Sequence, residues 1–174
     1  MRDQDLSTNT KPVVIRPATG EDAAALCRIY NHYVRDTHVA FEESTLSSPL
    51  MADRVRATIA AGLPWLVAEQ NGRVAGYAFA SAWRIRSAYR YTVESSVYLE
   101  ANVAGRGLGT ELYGELLDIL GKRGMHSVIG GIALPNDASV ALHEKLGFEK
   151  VAQFREVGYK RKQWVDVGYW QLIF

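Results

Sequence analysis

Apolar residues recur along the chain with two different periods, and each change of period marks an element. Val13-Val14-Ile15-Arg16 predicts a first strand. Thr19 then offers an N-cap with Asp22 three residues on, a short-armed capping box. Leu26, Ile29, Tyr30 and Tyr33 follow at the i, i+3, i+4, i+7 spacing of one helix face. Ser48-Pro49 opens a second helix with Met51, Val55 and Ile59 on one stripe, stopped by Gly62 and Pro64. Residues 65–69 and 74–80 read as strands around Asn71-Gly72, a strong hairpin signal. Next come a strand over 91–99, the glycine-rich stretch AGRGLGTELYGELL with a helix from about Leu108 to Gly121, and a strand over 127–134. A helix over 137–146 is closed by Gly147 at C′, and the aromatic, β-branched run from Glu149 to Phe174 suits two closing strands.

The order β-α-α-β-β-β-α-β-α-β-β predicts an α/β (α+β) domain, a mixed sheet with helices on its faces. No repeat or linker divides it, so 13–174 reads as a single domain behind a polar arm over 1–12. At 174 residues the chain suits one sizeable core, and 48% hydrophobic against 22% charged residues is ordinary globular composition. The net charge of +1 argues against nucleic acid as a partner. Cys27, the only cysteine, excludes an intramolecular disulfide and any Cys/His metal cluster, so no metal is expected. It falls on the first helix as a core residue rather than a nucleophile. No apolar run approaches the ~18 residues of a membrane span, and the start lacks a signal peptide's apolar core. A cytoplasmic protein with no membrane partner is the expectation.

The glycine stretch sits between a strand and a helix, so Gly105, Arg106, Gly107 and Gly109 fall at a helix N-terminus. Backbone N–H groups there lack intrahelical partners and, with the helix dipole, favour an anion such as phosphate. Glycines let the phosphate approach them, and Arg106 adds a charge. A flexible loop before an ordinary helix fits the same residues. Two nucleotide motifs do not: Gly109-Thr110-Glu111 lacks the lysine of a Walker loop, and a dinucleotide fingerprint wants glycine at Thr110 and an acid where Met125 and His126 stand.

VYLEANVAGRGLGTELYGELL resembles the acyl-CoA-binding motif of the GNAT acetyltransferases, Gln/Arg-x-x-Gly-x-Gly/Ala after a strand. Gly107 and Gly109 match, and Ala104 departs from the Gln/Arg position. PNDASVALHEKLGF is similar to the family's second signature. IRPAT, IYNHYV, SAYRYTVESSVYL, GRGLGTELY and VGYKRKQWVDVGYWQ are similar to the phosphinothricin and methionine sulfoximine N-acetyltransferase branch, and together the segments span about Ile15 to Gln171. The resemblance implies the GNAT fold, a mixed and mostly antiparallel central sheet with helices on both faces. It also implies direct transfer of an acetyl group from acetyl-CoA to an amine. By the same resemblance Val97, Tyr98 and Leu99 lie along pantetheine, a backbone N–H near Leu99 faces the thioester oxygen, and Gly105, Arg106, Gly107, Leu108, Gly109 and Thr110 surround the pyrophosphate. Asn136 reaches the cofactor from the neighbouring strand end.

An α-amine of pKa ~8 is only about one-tenth neutral at pH 7, so a base is useful. Alternation in TVESSVYL sets Val93, Ser95, Val97 and Leu99 on one face and Thr92, Glu94, Ser96 and Tyr98 on the other. That second face also suits solvent. With the resemblance, Glu94 is the expected base, acting directly or through a water. His143 falls where many GNAT enzymes carry the tyrosine that protonates the departing thiolate; a histidine satisfied at a helix surface fits the position too.

AWRIRSAYRY resembles the branch's substrate loop, which makes Trp83, Arg84, Arg86 and Tyr89, with Phe41 as an apolar wall, the expected substrate contacts. Arginine offers a fork for a carboxylate or phosphinate, though an exposed basic loop would look alike. The implied acceptor is a small amino acid such as phosphinothricin, methionine sulfoximine or methionine sulfone. Glu42 and Glu43 keep a polyamine or a peptide N-terminus open, and a non-catalytic acyl-CoA-binding module remains a rival. The apolar tail (Tyr159, Trp164, Tyr169, Trp170, Phe174) points to a homodimer.

Overall fold

The computed structural model describes residues 12–103 and 107–174. The polar arm, all but Pro12, and the expected contacts of Gly105 and Arg106 lie outside the described residues. Seven strands form one sheet in the order β1-β2-β3-β4-β5-β7-β6: β1 Val14–Pro17, β2 Trp65–Gln70, β3 Arg73–Ala82, β4 Thr92–Leu99, β5 Ser127–Leu134, β6 Glu149–Lys160 and β7 Gln163–Ile173. The helices are α1 Ala23–Asp36, α2 Ser48–Ala60, α3 Leu108–Lys122 and α4 Asp137–Lys145. Every expected element is present in the expected order. The differences are at the ends: Thr19 and Asp22 do form a capping box, but on a 3-10 turn over Gly20–Asp22 that precedes α1. The α2 cap is Ser47, whose side chain accepts from the Leu50 N–H, with Pro49 one position inside.

Strand alternation sorts the core into two layers. Leu66, Ala68, Ala78 and Val93 pack under α3 with Leu112, Leu116 and Leu120, while Trp65, Val67 and Tyr77 pack under α1 and α2 with Leu26, Ile29 and Val55. Fully burying each of the leucine, isoleucine and valine side chains stabilises by about 1.5–3 kcal/mol, so both helical layers are held on the sheet. Cys27 is buried and free in the α1 layer, as its periodic position predicts. Asn71 and Gly72 both take positive φ, at 55° and 75°, the geometry that a tight two-residue hairpin requires. Among the described residues no helix is long and apolar enough to cross a membrane.

One pairing matters more than the rest. All neighbours are antiparallel except β4 and β5, and these pair over only Thr92↔Ser127, Val93↔Val128 and Glu94↔Ile129. Beyond Glu94 the two strands part, which leaves the β5-facing edge of residues 95–99 without a strand partner.

Candidate active site at the parting of two strands

The parting of β4 and β5 opens a cleft lined by Ser96, Val97, Tyr98, Gly131, Asn136 and His143, among others. An extended ligand carrying amide groups suits such an edge, because the backbone groups left unpaired there are strand-like donors and acceptors. The α3 N-terminus is capped by Gly107, whose φ of 87° falls in the left-handed region and which provides no side-chain cap. The N–H groups of Leu108, Gly109 and Thr110 therefore have no acceptor within the helix, and a Cβ at Gly107 would meet nothing within 4 Å. Among the described residues this is open space beside donors without a partner, and it fits a phosphate group. Gly109 is bare for another reason. A Cβ there would stand 3.2 Å from Leu99 Cδ1 and 3.5 Å from Leu142 Cδ2, so its missing side chain serves the packing of α3 on β4 and α4 rather than clearing room for phosphate.

Glu94 sits at the last paired rung, on the α1–α2 face. Burial pushes its carboxyl above the usual range, with the Arg84 charge pulling the other way. No hydrogen bond or ion pair among the described residues holds the carboxylate. A Cβ on Gly131 of β5 would come within 3.2 Å of Glu94 Oε1 and 3.4 Å of Tyr169 Cε1. That glycine keeps the carboxylate open to whatever enters between the strands. The wall beyond it is Tyr169, edge-on to Trp83 at 5.8 Å, and Arg84 stacks on Trp83 at 4.4 Å.

The expected substrate residues separate into groups. Trp83 and Arg84 belong to this wall. Arg86 and Tyr89 lie on the exposed loop before β4, with Tyr89 in a 3-10 turn over Ser87–Tyr89, and no hydrogen bond or ion pair among the described residues joins them to Glu94. Phe41 arrives from the α1–α2 connection and lies over Gly158 of β6, where a Cβ would be 2.7 Å from the ring. Glu42 is accounted for locally: it accepts from Arg54 at 2.9 Å and from the Tyr30 hydroxyl, which leaves it poorly placed to recruit a cation.

His143 lies on the opposite face from Glu94 and is 4% exposed. Its Nδ1 is 2.7 Å from the Ser139 carbonyl oxygen, which can only accept, so Nδ1 carries the proton and Nε2 is the acceptor. Nε2 accepts from the Tyr113 hydroxyl at 3.1 Å, and Tyr113 in turn meets Ser95 Oγ at 2.6 Å. Burial lowers the imidazole pKa, opposed by the Ser139 bond, which favours the neutral ring. The result is a buried chain running from Ser95, a cleft residue, through Tyr113 to His143 and Ser139. Asn136 caps α4, its Oδ1 accepting from the Ser139 N–H at 3.2 Å.

Tyr113, Ser95 and Lys160 escaped the sequence reading. Ser95 carries a signal, as a hydroxyl on the otherwise apolar face of β4, whereas Tyr113 merges into the apolar stripe of α3. Lys160 is buried, its Nζ donating to the Val34 carbonyl at 2.8 Å and to the Ala40 carbonyl. It ties the β6–β7 tip to the segment bearing Phe41. In sequence it is one of three basic residues in a row, Lys160-Arg161-Lys162.

Comparison with known proteins agrees with this architecture. The acetyltransferase (GNAT) domain model matches residues 15–168. The phosphinothricin N-acetyltransferase of Streptomyces viridochromogenes is 44% identical over 169 residues, covering 97% of this chain and 92% of the relative. The L-methionine sulfoximine/L-methionine sulfone acetyltransferase of Salmonella typhimurium is 39% identical over 160 residues, 92% of this chain and 94% of the relative. Among solved structures, a phosphinothricin acetyltransferase of Sinorhizobium meliloti in complex with acetyl-CoA superposes with a TM-score of 0.90 at 34% identity, over 94% of this chain and 89% of that one. Parted strands, a helix led by a glycine N-cap without a side-chain cap, and a match over nearly the whole domain carry one conclusion: this chain belongs to the GNAT acetyltransferase family.

Proposed function

We propose that the protein is an acetyl-CoA-dependent N-acetyltransferase acting on the α-amine of a small amino acid such as phosphinothricin, methionine sulfoximine or methionine sulfone. The observation that carries this reading is Glu94, a carboxylate with no partner among the described residues whose pKa burial raises, at the point where β4 and β5 separate. Acetyl-CoA, when bound, supplies the activated acyl carbon. The free edge of Val97, Tyr98 and Leu99 bonds the pantetheine amides, the N–H groups at the start of α3 hold the pyrophosphate, and the Asn136 amide closes the strand end. Glu94 takes a proton from the ammonium, directly or through a water, so that the amine nitrogen attacks as the carbon–sulfur bond breaks. The departing sulfur needs a proton in turn. Ser95 reaches the cleft: a proton taken up from solvent at His143 Nε2 turns the Tyr113 and Ser95 hydroxyls toward the sulfur, Ser95 donates to it, and Tyr113 and then His143 refill the chain, leaving the ring neutral again.

Arg84 sets a guanidinium near the amine for the acceptor's carboxylate, and Phe41 and Trp83 give apolar walls. The pairing of Glu42 with Arg54 and Tyr30 speaks against a polyamine. Thiol release from acetyl-CoA with methionine sulfoximine, phosphinothricin and a dipeptide tests the reading. Release with the free amino acids supports it, release with the dipeptide alone transfers the assignment to peptide N-termini, and acetyl-CoA binding without release reduces the protein to a binding module.

The same proposal includes a homodimer. Strand β6 is a sheet edge of 12 residues whose Phe154, Val157 and Tyr159 are exposed, next to Trp164 at 63%. An apolar edge of this length calls for a cover, and light scattering that gives a monomer at micromolar concentration would remove it. The enzyme's compartment in this proposal is the cytoplasm, where a free thiol such as Cys27 stays reduced.

A further inference from the structure

Tyr33, the last residue of the apolar stripe of α1, reaches the edge of the sheet. Its hydroxyl donates to the Leu99 carbonyl at 2.7 Å, across 66 positions of sequence. The ring meets Tyr98 edge-on at 5.3 Å, and the Tyr33 carbonyl accepts from the Thr37 N–H at 3.3 Å and the Thr37 hydroxyl at 2.8 Å. One residue on, the Val34 carbonyl accepts from Lys160. Ring and backbone are thus both held where the hydroxyl meets Leu99. Burial pushes the phenol pKa up, opposed by the Leu99 bond, so the group remains a protonated donor.

The direction of that carbonyl gives the contact its meaning. In an antiparallel pair successive residues turn their backbone groups alternately toward the partner strand and away from it. The Glu100 N–H donates to the Ala75 carbonyl of β3 and the Thr92 carbonyl accepts from Trp83, so the even-numbered residues of β4 are bonded on the β3 side. The odd-numbered ones face the other way, as the Tyr91 carbonyl does in accepting from the His126 and Ser127 N–H groups at the start of β5. Past Glu94, where β5 leaves, the backbone groups of Val97 and Leu99 therefore point into the gap. Tyr33 takes one of these four groups. The Val97 N–H, the Val97 carbonyl and the Leu99 N–H have no partner among the described residues.

From this geometry we infer that Tyr33 sets the register in which the pantetheine arm of acetyl-CoA binds, by taking the Leu99 carbonyl out of the row of groups that the edge presents. The inference rests on the acetyl-CoA reading above and goes further by naming a positioning residue that does not touch the reacting atoms. The need for one is physical. Between the pyrophosphate and the sulfur the arm is a run of single bonds and amides, so a phosphate anchor does not by itself fix the sulfur. The edge repeats every second residue, and the neighbouring register displaces the sulfur by roughly 6.6 Å. A misplacement of about 1 Å already costs about 10²-fold in rate. With the phenol in place, an amide N–H arriving at Leu99 has to share an oxygen that already holds a donor within the ordinary ~2.9 Å. With the carbonyl free, the shifted register gains an acceptor.

The test is Tyr33→Phe, which keeps the ring against Tyr98 and removes only the donor. A second, unproductive register binds acetyl-CoA without turning it over. With methionine sulfone saturating, kcat and KM for acetyl-CoA should therefore fall together, each by about 2–10-fold for one extra hydrogen bond, with kcat/KM within about twofold of wild type. By calorimetry CoA itself should bind the variant more tightly by a similar factor. Carbonyl carbon-13 NMR of Leu99 reads the register without turnover, and CoA should move that signal further in Tyr33→Phe than in the wild-type protein. A variant with unaltered kcat and KM overturns the inference. So does one in which KM rises and kcat/KM falls, which would make the phenol a direct contact of the cofactor. A Leu99 signal that CoA moves equally in both proteins overturns it as well. Absence of thiol release with any amine removes the acetyltransferase reading alone, because CoA calorimetry and the Leu99 signal decide the register on their own.

Discussion

The Tyr113 hydroxyl lies 3.1 Å from His143 Nε2 and joins it to Ser95 at 2.6 Å, so the imidazole meets the cleft as part of a hydroxyl chain. Tyr113→Phe tests what the chain is worth. Leaving a thiol of pKa ~8.5 ionised at pH 7 costs about 2 kcal/mol, which caps the loss of kcat near 30-fold. The buried Nε2 also loses its donor, which costs about 1–3 kcal/mol of stability by urea melts. His143→Ala should fall under the same kinetic ceiling.

Glu94→Gln should be far more damaging, by about 10²–10⁴ in kcat/KM, because it removes the proposed base. Steady-state kinetics in which Tyr113→Phe or His143→Ala proves worse than Glu94→Gln would exchange the roles.

The same carboxylate predicts an opposite effect on stability and a distinct pH profile. Burial raises the folded-state pKa of Glu94. The folded protein therefore favours the protonated acid, and stability falls as pH rises from the unfolded value near 4.3 through the folded one. At pH 7 Glu94→Gln should raise the melting temperature by about 1–2 °C, the scale of ~0.5 kcal/mol in a chain of this length. Catalysis needs the ionised form, so kcat/KM of the wild-type enzyme should rise with pH through a midpoint above the ordinary ~4.3, and the variant should lose that limb. A less stable Glu94→Gln would mean that the carboxylate has a partner in solution.

How much of this was legible in the sequence depends on how far apart the partners are. Strand alternation set Glu94 on the polar face of β4, but only the family resemblance singled it out there as the expected base, whereas the hairpin at Asn71-Gly72 was legible because both residues are local signals. The Ser95–Tyr113 contact spans 18 positions and the Tyr113–His143 contact spans 30. Neither is visible until α3 and α4 are laid on the sheet. A tyrosine in an apolar helical stripe looks like core, and what distinguishes Tyr113 is the one atom at its end — a hydroxyl whose partners come from two other elements. Gly109 was readable as a needed glycine but not for its reason, since the Leu99 and Leu142 side chains that exclude a Cβ come from β4 and α4.

Gly130 offers a way to disturb the chain without touching its hydroxyls. A Cβ there would overlap His143 Nε2 and Cδ2, so Gly130→Ala must move the ring or the strand, a kind of overpacking that costs about 1–3 kcal/mol. Nitrogen-15 NMR of the imidazole should report a neutral, Nδ1-protonated ring in the wild-type protein and a mixture of tautomers in the variant. Its kcat should fall to the level of Tyr113→Phe, and a variant with an unaltered imidazole signal and full activity would show that the ring does not rest on Gly130.

Lys160 makes the last prediction, one about position rather than chemistry. Its ammonium is buried without a carboxylate partner among the described residues, and it donates to the carbonyls of Val34, in the last turn of α1, and of Ala40. A cation at a helix C-terminus is favourable, and here it also fixes the residue before Phe41 against the strand whose Gly158 receives the Phe41 ring. Lys160→Met retains the length of the stem but leaves two carbonyls without a donor, at about 1–3 kcal/mol if they stay dry. In the proposed reading the freed segment carries the Phe41 acceptor wall; it also carries Val39, which lines the strand-parting cleft. The KM for the amino acid should therefore rise by about tenfold or more and the KM for acetyl-CoA by a clearly smaller factor, since the start of α3 is not part of this segment. Equal increases in both KM values would instead mean that Lys160 supports the fold as a whole.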